Sequence, residues 1–186
     1  MALHLVRDTF CSFCGTKYAE PLTYPRACGN CATTVWANPI PVAVVLVPVR
    51  DVDRVGLLVV RRAIPPGTGL LALVGGFVED TESWQQGGAR EVREETGVVV
   101  PAAGLEPLWY ASTEPKPNRV LLFSVAPVME RAALPPFAAD GEASARGLIF
   151  GPGGLEEVFA FSLHTAAAKR YFEGHHVTGP HDFVAR

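Results

Sequence analysis

The stretch Gly75–Val98, GGFVEDTESWQQGGAREVREETGV, is the most acidic short segment of the chain. Its composition and spacing predict a helix over Ser83–Thr96. In that helix Glu91, Glu94 and Glu95 stand at positions i, i+3 and i+4, so their carboxylates share one face. Like charges at this spacing repel by roughly a few tenths of a kcal/mol per pair. The pattern therefore indicates a cation over that face.

A hard divalent cation suits this face better than the neighbouring arginines do. The segment contains neither His nor Cys, and carboxylate oxygens alone favour Mg²⁺ or Mn²⁺ over Zn²⁺. The opposite face is small, with Gly88, Ala89 and Val92, which lets the helix lie close to a sheet. Each glycine inside a helix costs about 1 kcal/mol relative to alanine. The two adjacent glycines therefore indicate a packing requirement.

The same residues resemble a complete Nudix box. The pattern is Gly, five residues, Glu, seven residues, Arg-Glu, an aliphatic residue, any residue, Glu-Glu, any residue, Gly and an aliphatic residue. It is met by Gly76, Glu82, Arg90, Glu91, Val92, Glu94, Glu95, Gly97 and Val98. The alternative is a solvated charged helix, which is what most charge runs are. The number of restricted positions disfavours that alternative.

The resemblance implies a fold and a set of site residues. The fold is an α/β/α sandwich with a mixed sheet. Glu94 and Glu95 are expected to bind the metal, with Glu91 a ligand or base, and the Gly75 carbonyl joins the metal shell. Arg90 orients a box glutamate. The candidates outside the box core are Glu142 as general base and Arg61, Glu79 and Trp84 as substrate-binding residues.

Four cysteines form two pairs, Cys11-Ser-Phe-Cys14 and Cys28-Gly-Asn-Cys31, and the chain has no others. Two CxxC pairs at this separation predict one tetrahedral, structural Zn²⁺ site, because each pair offers two thiolates from a tight knuckle. Gly15 and Gly29 are expected to supply the positive φ angles of these knuckles. Two disulfides are the alternative, which a cytosolic chain disfavours.

The length, composition and net charge of the chain exclude several classes of protein. The 186 residues are 48% hydrophobic, enough for a packed core, and no apolar run approaches the roughly 18 residues of a membrane span. His4, Arg7 and Asp8 interrupt the first residues, which predicts no secretory signal and a cytoplasmic protein. The net charge of −3 gives no reason to expect nucleic-acid binding.

Hydrophobic patterning predicts the remaining elements. Predicted strands are 41–49, 55–62, 70–74, 98–100, 105–112, 119–126 and 147–150, with a second helix over 163–172 capped by Ser162. The predicted organisation is a zinc ribbon over 1–37, a Nudix domain over 38–175 and a tail over 176–186. His164, His175, His176 and His181 are expected to be solvated near that tail.

The resemblance extends to ribbon-bearing Nudix enzymes, which act on NADH, FAD or ADP-ribose. The expected function is therefore hydrolysis of a nucleoside diphosphate linked to another moiety, with a small-molecule nucleotide as partner and a homodimer as the suggested assembly. NADH enzymes carry aromatic residues after the box, whereas Ala111–Pro117 has prolines without them, which disfavours NADH. The alternative function is a non-catalytic sensor of nucleotide sugars.

Overall fold

The structure is a computed structural model that describes residues 9–114, 118–139 and 141–186. The residues used to argue against a secretory signal, the prolines at 115 and 117, and position 140 lie outside these ranges. The chain divides after Pro39 into two compact units. The first holds the cysteines and the second holds the acidic segment.

Twelve strands, three α-helices and two short 3-10 helices (Ala102–Gly104 and Arg131–Ala133) account for the regular structure of the described residues. The strands are β1 (Arg26–Ala27), β2 (Thr34–Val35), β3 (Ile40–Leu46), β4 (Pro48–Asp51), β5 (Arg54–Arg62), β6 (Leu71–Ala72), β7 (Val74–Phe77), β8 (Glu106–Ser112), β9 (Arg119–Val125), β10 (Met129–Glu130), β11 (Ala143–Phe150) and β12 (Asp182–Ala185). The helices are α1 (Trp84–Thr96), α2 (Leu155–Val158) and α3 (Ser162–Gly174).

The larger unit contains two mixed sheets. One has the strand order β7-β3-β9-β8, in which β3 and β9 are parallel and the other pairs antiparallel. The other has the order β10-β4-β5-β11-β12, with β6 also paired to β5, and only β10 and β4 are parallel. The predicted mixed sheet is thus confirmed as two sheets.

Alternation along the strands creates two cores. Val44 and Leu46 of β3 belong to one buried cluster together with Phe172 of α3. Val45 belongs to a second buried cluster, with Val92 of α1. Because successive residues of a strand point to opposite faces, α3 covers one face and α1 the other. The predicted helix, sheet and helix layers are confirmed.

The predicted strand 41–49 is wrong in one respect. It is two strands, β3 and β4, which belong to different sheets and are separated by Val47. The run is apolar throughout because both parts are buried, so its hydrophobicity gives no sign of the break. Residues 98–100 are not a strand either. Val98 and Val100 are buried there without strand pairing.

The C-terminal residues correct the predicted tail. Residues 182–185 form β12, which pairs antiparallel with β11. The Arg186 guanidinium donates to Asp51 Oδ2 at 2.7 Å. The C-terminal residue is therefore also bonded to the end of β4. Among the described residues, no helix is long and apolar enough to cross a membrane.

Candidate active site and metal centre

Helix α1 begins and ends where the sequence predicts. Ser83 is the N-cap residue and forms a capping box with Gln86, in which each side chain accepts a backbone N–H of the other. Gly97 ends the helix in the left-handed conformation, with φ of 74°, and its N–H donates to the Arg93 carbonyl. These caps fix the helical register of the three glutamates.

Close packing fixes the depth of α1. A Cβ atom on Gly88 would lie 2.8 Å from Val45 Cγ2 of β3, closer than side chains tolerate. A Cβ on Gly87 would lie 2.7 Å from Glu82 Oε1. The two glycines that weaken the helix therefore let it approach the sheet on one side and Glu82 on the other.

Arg90 is the central cation of the acidic segment. Its guanidinium donates to Glu82 Oε1 at 2.8 Å and to Glu91 Oε1 at 2.7 Å. It also donates to Glu94 Oε2 at 3.0 Å and to the Phe77 carbonyl at 2.9 Å. The hydrogen bond from Arg90 holds the pKa of Glu82 below its usual range. Arg90 thus joins the helix to the end of β7 and holds two of the three predicted ligands.

Glu95 lies deeper than the other glutamates and outside the Arg90 network. Its Oε2 accepts the Gly75 N–H at 3.3 Å. Burial, together with the charges of Glu91 and Glu142, raises the pKa of Glu95 to about 8, while the Gly75 hydrogen bond and Arg62 oppose the shift. A buried carboxylate beside other carboxylates favours a bound cation, because the cation compensates the charge that burial makes costly.

The Gly75-Gly76 pair lets the sheet lie against these carboxylates. A side chain on Gly76 would overlap the Glu91 carboxylate, and one on Gly75 would overlap the Ala43 carbonyl of β3. Burial also raises the pKa of Glu91, with Arg90 opposing the shift. The glycines therefore bring backbone groups into the acidic site, as the sequence predicts.

These groups open into a cleft of about 880 Å³. Its walls come from both sheets, with Val42 and Val44 of β3 on one side and Val60 of β5 on the other. Its charged lining residues include Arg62, Glu91, Glu94, Glu95, Arg119 and Glu142. The Glu142 carbonyl accepts the Ala63 N–H at 2.7 Å, which holds this residue beside the end of β5.

The three predicted substrate-binding residues do not line the cleft. Arg61 donates to the Gly69 carbonyl at 2.6 Å and stacks on Phe183. Glu79 is exposed beside the helix start, and Trp84 packs partly buried against the core under α1. The cleft lining gives no support to a role of these residues in substrate binding, and that role stays a prediction.

Three cleft residues were missed as site candidates. Arg62 enters the cleft in place of Arg61, since adjacent strand residues face opposite sides. Arg119 lies over the Phe77 ring at 5.5 Å. His164 is buried rather than solvated, and its Nδ1 accepts the Leu73 N–H at 3.1 Å. The alternation of side chains along a strand shows that only one of Arg61 and Arg62 can face the cleft. No local sequence pattern indicates that His164 is buried.

The four cysteines converge in the smaller unit. Their Sγ atoms all lie within 4.8 Å of one another. Cys11 and Cys31 Sγ are 3.7 Å apart, and Cys14 and Cys28 Sγ are 3.6 Å apart. Four sulfurs about 2.3 Å from one tetrahedral ion would be separated by about 3.8 Å. The donor set therefore fits a single tetrahedral metal ion.

The two knuckles have matching backbone turns. The Gly15 N–H donates to the Cys11 carbonyl at 2.8 Å, and the Ala32 N–H donates to the Cys28 carbonyl at 2.9 Å. Gly15 has φ of 72° and Ala32 has φ of 58°. The positive φ predicted for Gly29 is wrong, because the turn requires it after the second cysteine of each pair.

The chemistry of the acidic face fits a hard cation, although the three carboxylates are spread more widely than the four cysteine thiols. Among the described His, Cys, Asp and Glu side chains, only the four cysteines form a group this close together. Glu91, Glu94 and Glu95 supply oxygen donors in an open cleft, and Arg90 holds part of their charge. Mg²⁺ and Mn²⁺ prefer such donors.

Comparison with known families agrees with this geometry. The NUDIX domain family matches residues 39–176. The chain belongs to the Nudix family. The match covers all three layers of the larger unit, including the Nudix box in α1 and the cleft that the box glutamates line.

Individual Nudix proteins resemble the chain to different extents. It is 34% identical over 99 residues to Nudix hydrolase 19 of Arabidopsis thaliana, a match covering 49% of this chain and only 21% of that relative. A NUDIX hydrolase from Nitrosomonas europaea is 29% identical with a TM-score of 0.65, covering 92% and 95% of the two chains. The NUDIX domain of Shewanella oneidensis NrtR, solved with ADP-ribose, shares the fold at 23% identity and a TM-score of 0.59, covering 75% and 90%.

Proposed function

We propose that the protein hydrolyses the pyrophosphate bond of a nucleoside diphosphate linked to another moiety, with Mg²⁺ or Mn²⁺ as catalytic metal. The observation that carries the proposal is the buried carboxylate of Glu95, which lies beside Glu91 and the Gly75 backbone at one wall of the large cleft. A carboxyl group with its pKa raised in this way is ionised at neutral pH when a cation lies beside it, and a diphosphate needs the same cation. Nudix hydrolases are among its relatives.

Glu91, Glu94 and Glu95 would hold the metal, with the Gly75 carbonyl as a further donor. A divalent cation there would neutralise phosphate oxygens and lower the pKa of an attacking water. Arg90 positions Glu91 and Glu94 through its hydrogen bonds to both. Catalysis of this type depends on positioning and charge stabilisation, so no Ser or Cys nucleophile is required.

Glu142 is the proposed general base. It lines the cleft, and its charge contributes to the raised pKa of Glu95 after burial and Glu91, which indicates electrostatic proximity. It directly precedes β11 in the chain. It would accept the proton of the attacking water. Arg62 and Arg119, the arginines of the cleft, would bind the substrate's phosphates.

ADP-ribose, FAD and NADH are the leading substrates. The ADP-ribose bound to the NrtR domain supports a nucleoside diphosphate with a second moiety as a ligand of this fold. The four-cysteine unit supports the resemblance to dinucleotide enzymes. We propose Zn²⁺ for that unit, a cytoplasmic location because four free thiols suit a reducing compartment, and a homodimer as the assembly.

A substrate panel tests the proposal. ADP-ribose, FAD, NADH, a dinucleoside polyphosphate and nucleoside triphosphates are incubated with folded, zinc-loaded protein and Mg²⁺ or Mn²⁺, and products are separated by chromatography. We expect a nucleoside monophosphate and a second phosphate product from at least one of the first three. Absence of turnover together with measurable ADP-ribose binding would instead support the alternative, a non-catalytic nucleotide-sugar sensor.

A further inference from the structure

A second cavity, of about 560 Å³, lies away from the catalytic cleft. It is lined by the turn and strand ends around β4 and β5, by Phe150 of β11 and by the end of α3. Arg54 at this cavity and Arg62 at the cleft stand at opposite ends of β5. At about 3.3 Å per residue the two are roughly 26 Å apart. The second cavity is therefore separate from the cleft that the box glutamates line.

Its walls carry two arginines whose partners are exposed. Arg54 pairs with Asp182 at 2.8 Å, and Arg50 pairs with Glu130 at 3.3 Å. The side chains of Asp182 and Glu130 are 53% and 68% exposed. Ion pairs of this exposure contribute about 0 to 1 kcal/mol, so a better anionic partner can replace the carboxylates. Asp53 also lines the cavity and is the remaining acidic group there.

The wall formed by α3 supplies a hydroxyl donor. Tyr171 is only 3% exposed, and no hydrogen bond joins its hydroxyl to the part of the chain described. Burial raises the pKa of Tyr171, and the charge of Arg50 opposes this shift. Tyr171 lines the cavity together with Arg50, so its hydroxyl is a donor that a ligand there could use.

The negative end of α3 does not repel an anion strongly here. The His175 N–H is shared between the Tyr171 and Phe172 carbonyls, and the Val177 N–H donates to the Phe172 carbonyl at 2.9 Å. His175 Nδ1 also lies 2.8 Å from the Tyr171 carbonyl. These bonds satisfy carbonyls that would otherwise face the cavity.

Planar groups line the same space. The Arg54 guanidinium lies 3.8 Å from the centre of the Phe150 ring. The rings of Tyr171 and His175 stack with centroids 4.2 Å apart. Phe150 and Tyr171 are buried, whereas Arg54 and His175 are exposed and offer planar groups that can stack on an aromatic ring. Inorganic phosphate alone would leave most of the volume without contacts.

We propose that this cavity binds a small phosphorylated molecule with an aromatic ring, of the nucleoside monophosphate class. Arg50, Arg54 and the Tyr171 hydroxyl bind the phosphate, and the planar side chains contact the ring. The site is independent of the glutamate cleft, and its ligand takes no part in the hydrolysis. The proposal does not require that the protein be a hydrolase.

Calorimetric titration without added divalent cation tests the site, with adenosine monophosphate, inorganic phosphate and adenosine as probes. We expect adenosine monophosphate to bind more tightly than either part alone. Arg50→Gln and Tyr171→Phe should each weaken binding about ten- to a hundredfold, as expected for loss of a hydrogen bond to a charged group. Arg170→Gln, on an exposed residue of α3 outside the cavity, is the matched control and should bind as the wild type does.

The proton resonances of the His175 ring give a local readout, because cleft binding would not shift them. Adenosine monophosphate should shift them in the wild type and in Glu95→Gln alike. Wild-type affinity in both Arg50→Gln and Tyr171→Phe would show that the nucleotide binds elsewhere and would overturn the proposal. So would an absence of binding by all three probes.

Discussion

The two predicted metal sites differ in how far the fold prepares them. The four thiols of the ribbon already lie within 4.8 Å of one another, whereas the box glutamates form no such group. A cysteine side chain has one rotatable bond and is placed by its backbone turn. A glutamate has three, and here Arg90 holds Glu91 and Glu94. The backbone therefore determines the positions of the sulfur ligands, whereas the positions of the oxygen ligands depend on neighbouring side chains.

The largest expected effect is at the oxygen site. Glu95→Gln keeps the shape of the side chain and removes the charge, so hydrolysis should fall by about 10²-fold or more, as for loss of a principal electrostatic group. Turnover on the best substrate is the measurement, with circular dichroism to show folding. Glu106→Gln is the control, since this exposed glutamate of β8 lies outside the cleft. Near-wild-type turnover in Glu95→Gln would remove it from the metal site.

At the sulfur site, a single change should abolish metal binding. Cys28→Ser replaces one of four ligands, and the expected result is loss of bound zinc and of protection from amide hydrogen exchange in residues 9–39. Residues 40–186 should remain protected, because they form a separate compact unit. Zinc content by atomic emission and exchange by mass spectrometry measure both. If the ribbon stays protected after zinc is removed, metal does not stabilise it.

Packing under α1 should matter more than its helix propensity. Gly88→Ala places a methyl group 2.8 Å from Val45 Cγ2 and should destabilise the larger unit by about 1 to 3 kcal/mol through overpacking. Gly174→Ala, at the end of α3 with nothing within 4 Å, should be neutral or stabilise by up to about 1 kcal/mol. Denaturant unfolding compares them. Equal effects of both substitutions would mean that Gly88 is not needed for close approach.

The smallest effect is a pH dependence of stability near neutrality. Burial lowers the pKa of His164 to about 3, so the folded protein keeps the imidazole neutral to accept the Leu73 N–H. The unfolded state binds a proton below about pH 6.5. The contribution of His164 is therefore complete above that pH and is lost as the pH falls toward 3. Exchange protection of 40–186 between pH 7.5 and 5.5 measures it in the Glu95→Gln background, which removes the opposing titration of Glu95, and adding His164→Gln should flatten the profile.

The elements that depend on local spacing were predictable. The bounds of α1, its Ser83 cap, the stop at Gly97 and the pairing of the cysteines all follow from residues within one or two turns of each other. The placement of the catalytic candidates in one cleft was expected from the resemblance. Residue roles in that cleft stay predictions.

What failed depends on partners distant in sequence. Choosing Arg61 over Arg62 required knowing which face of β5 meets the cleft. Trp84 lies near the box in sequence but packs into the core, and His164 meets Leu73 across 91 positions. The pairing that makes 182–185 a strand likewise needs β11 beside it. Periodicity within a segment carries none of this information.

The short connections between the two sheets limit how the cleft can open. Val47 joins β3 to β4 and Leu73 joins β6 to β7, so a single residue connects the two sheets at each of these two points and holds the walls of the cleft together there. The 63–69 loop also borders the cleft. Arg62 holds this loop by donating a hydrogen bond to the Pro66 carbonyl at 2.7 Å. Loss of this hydrogen bond would release the loop beside the cleft.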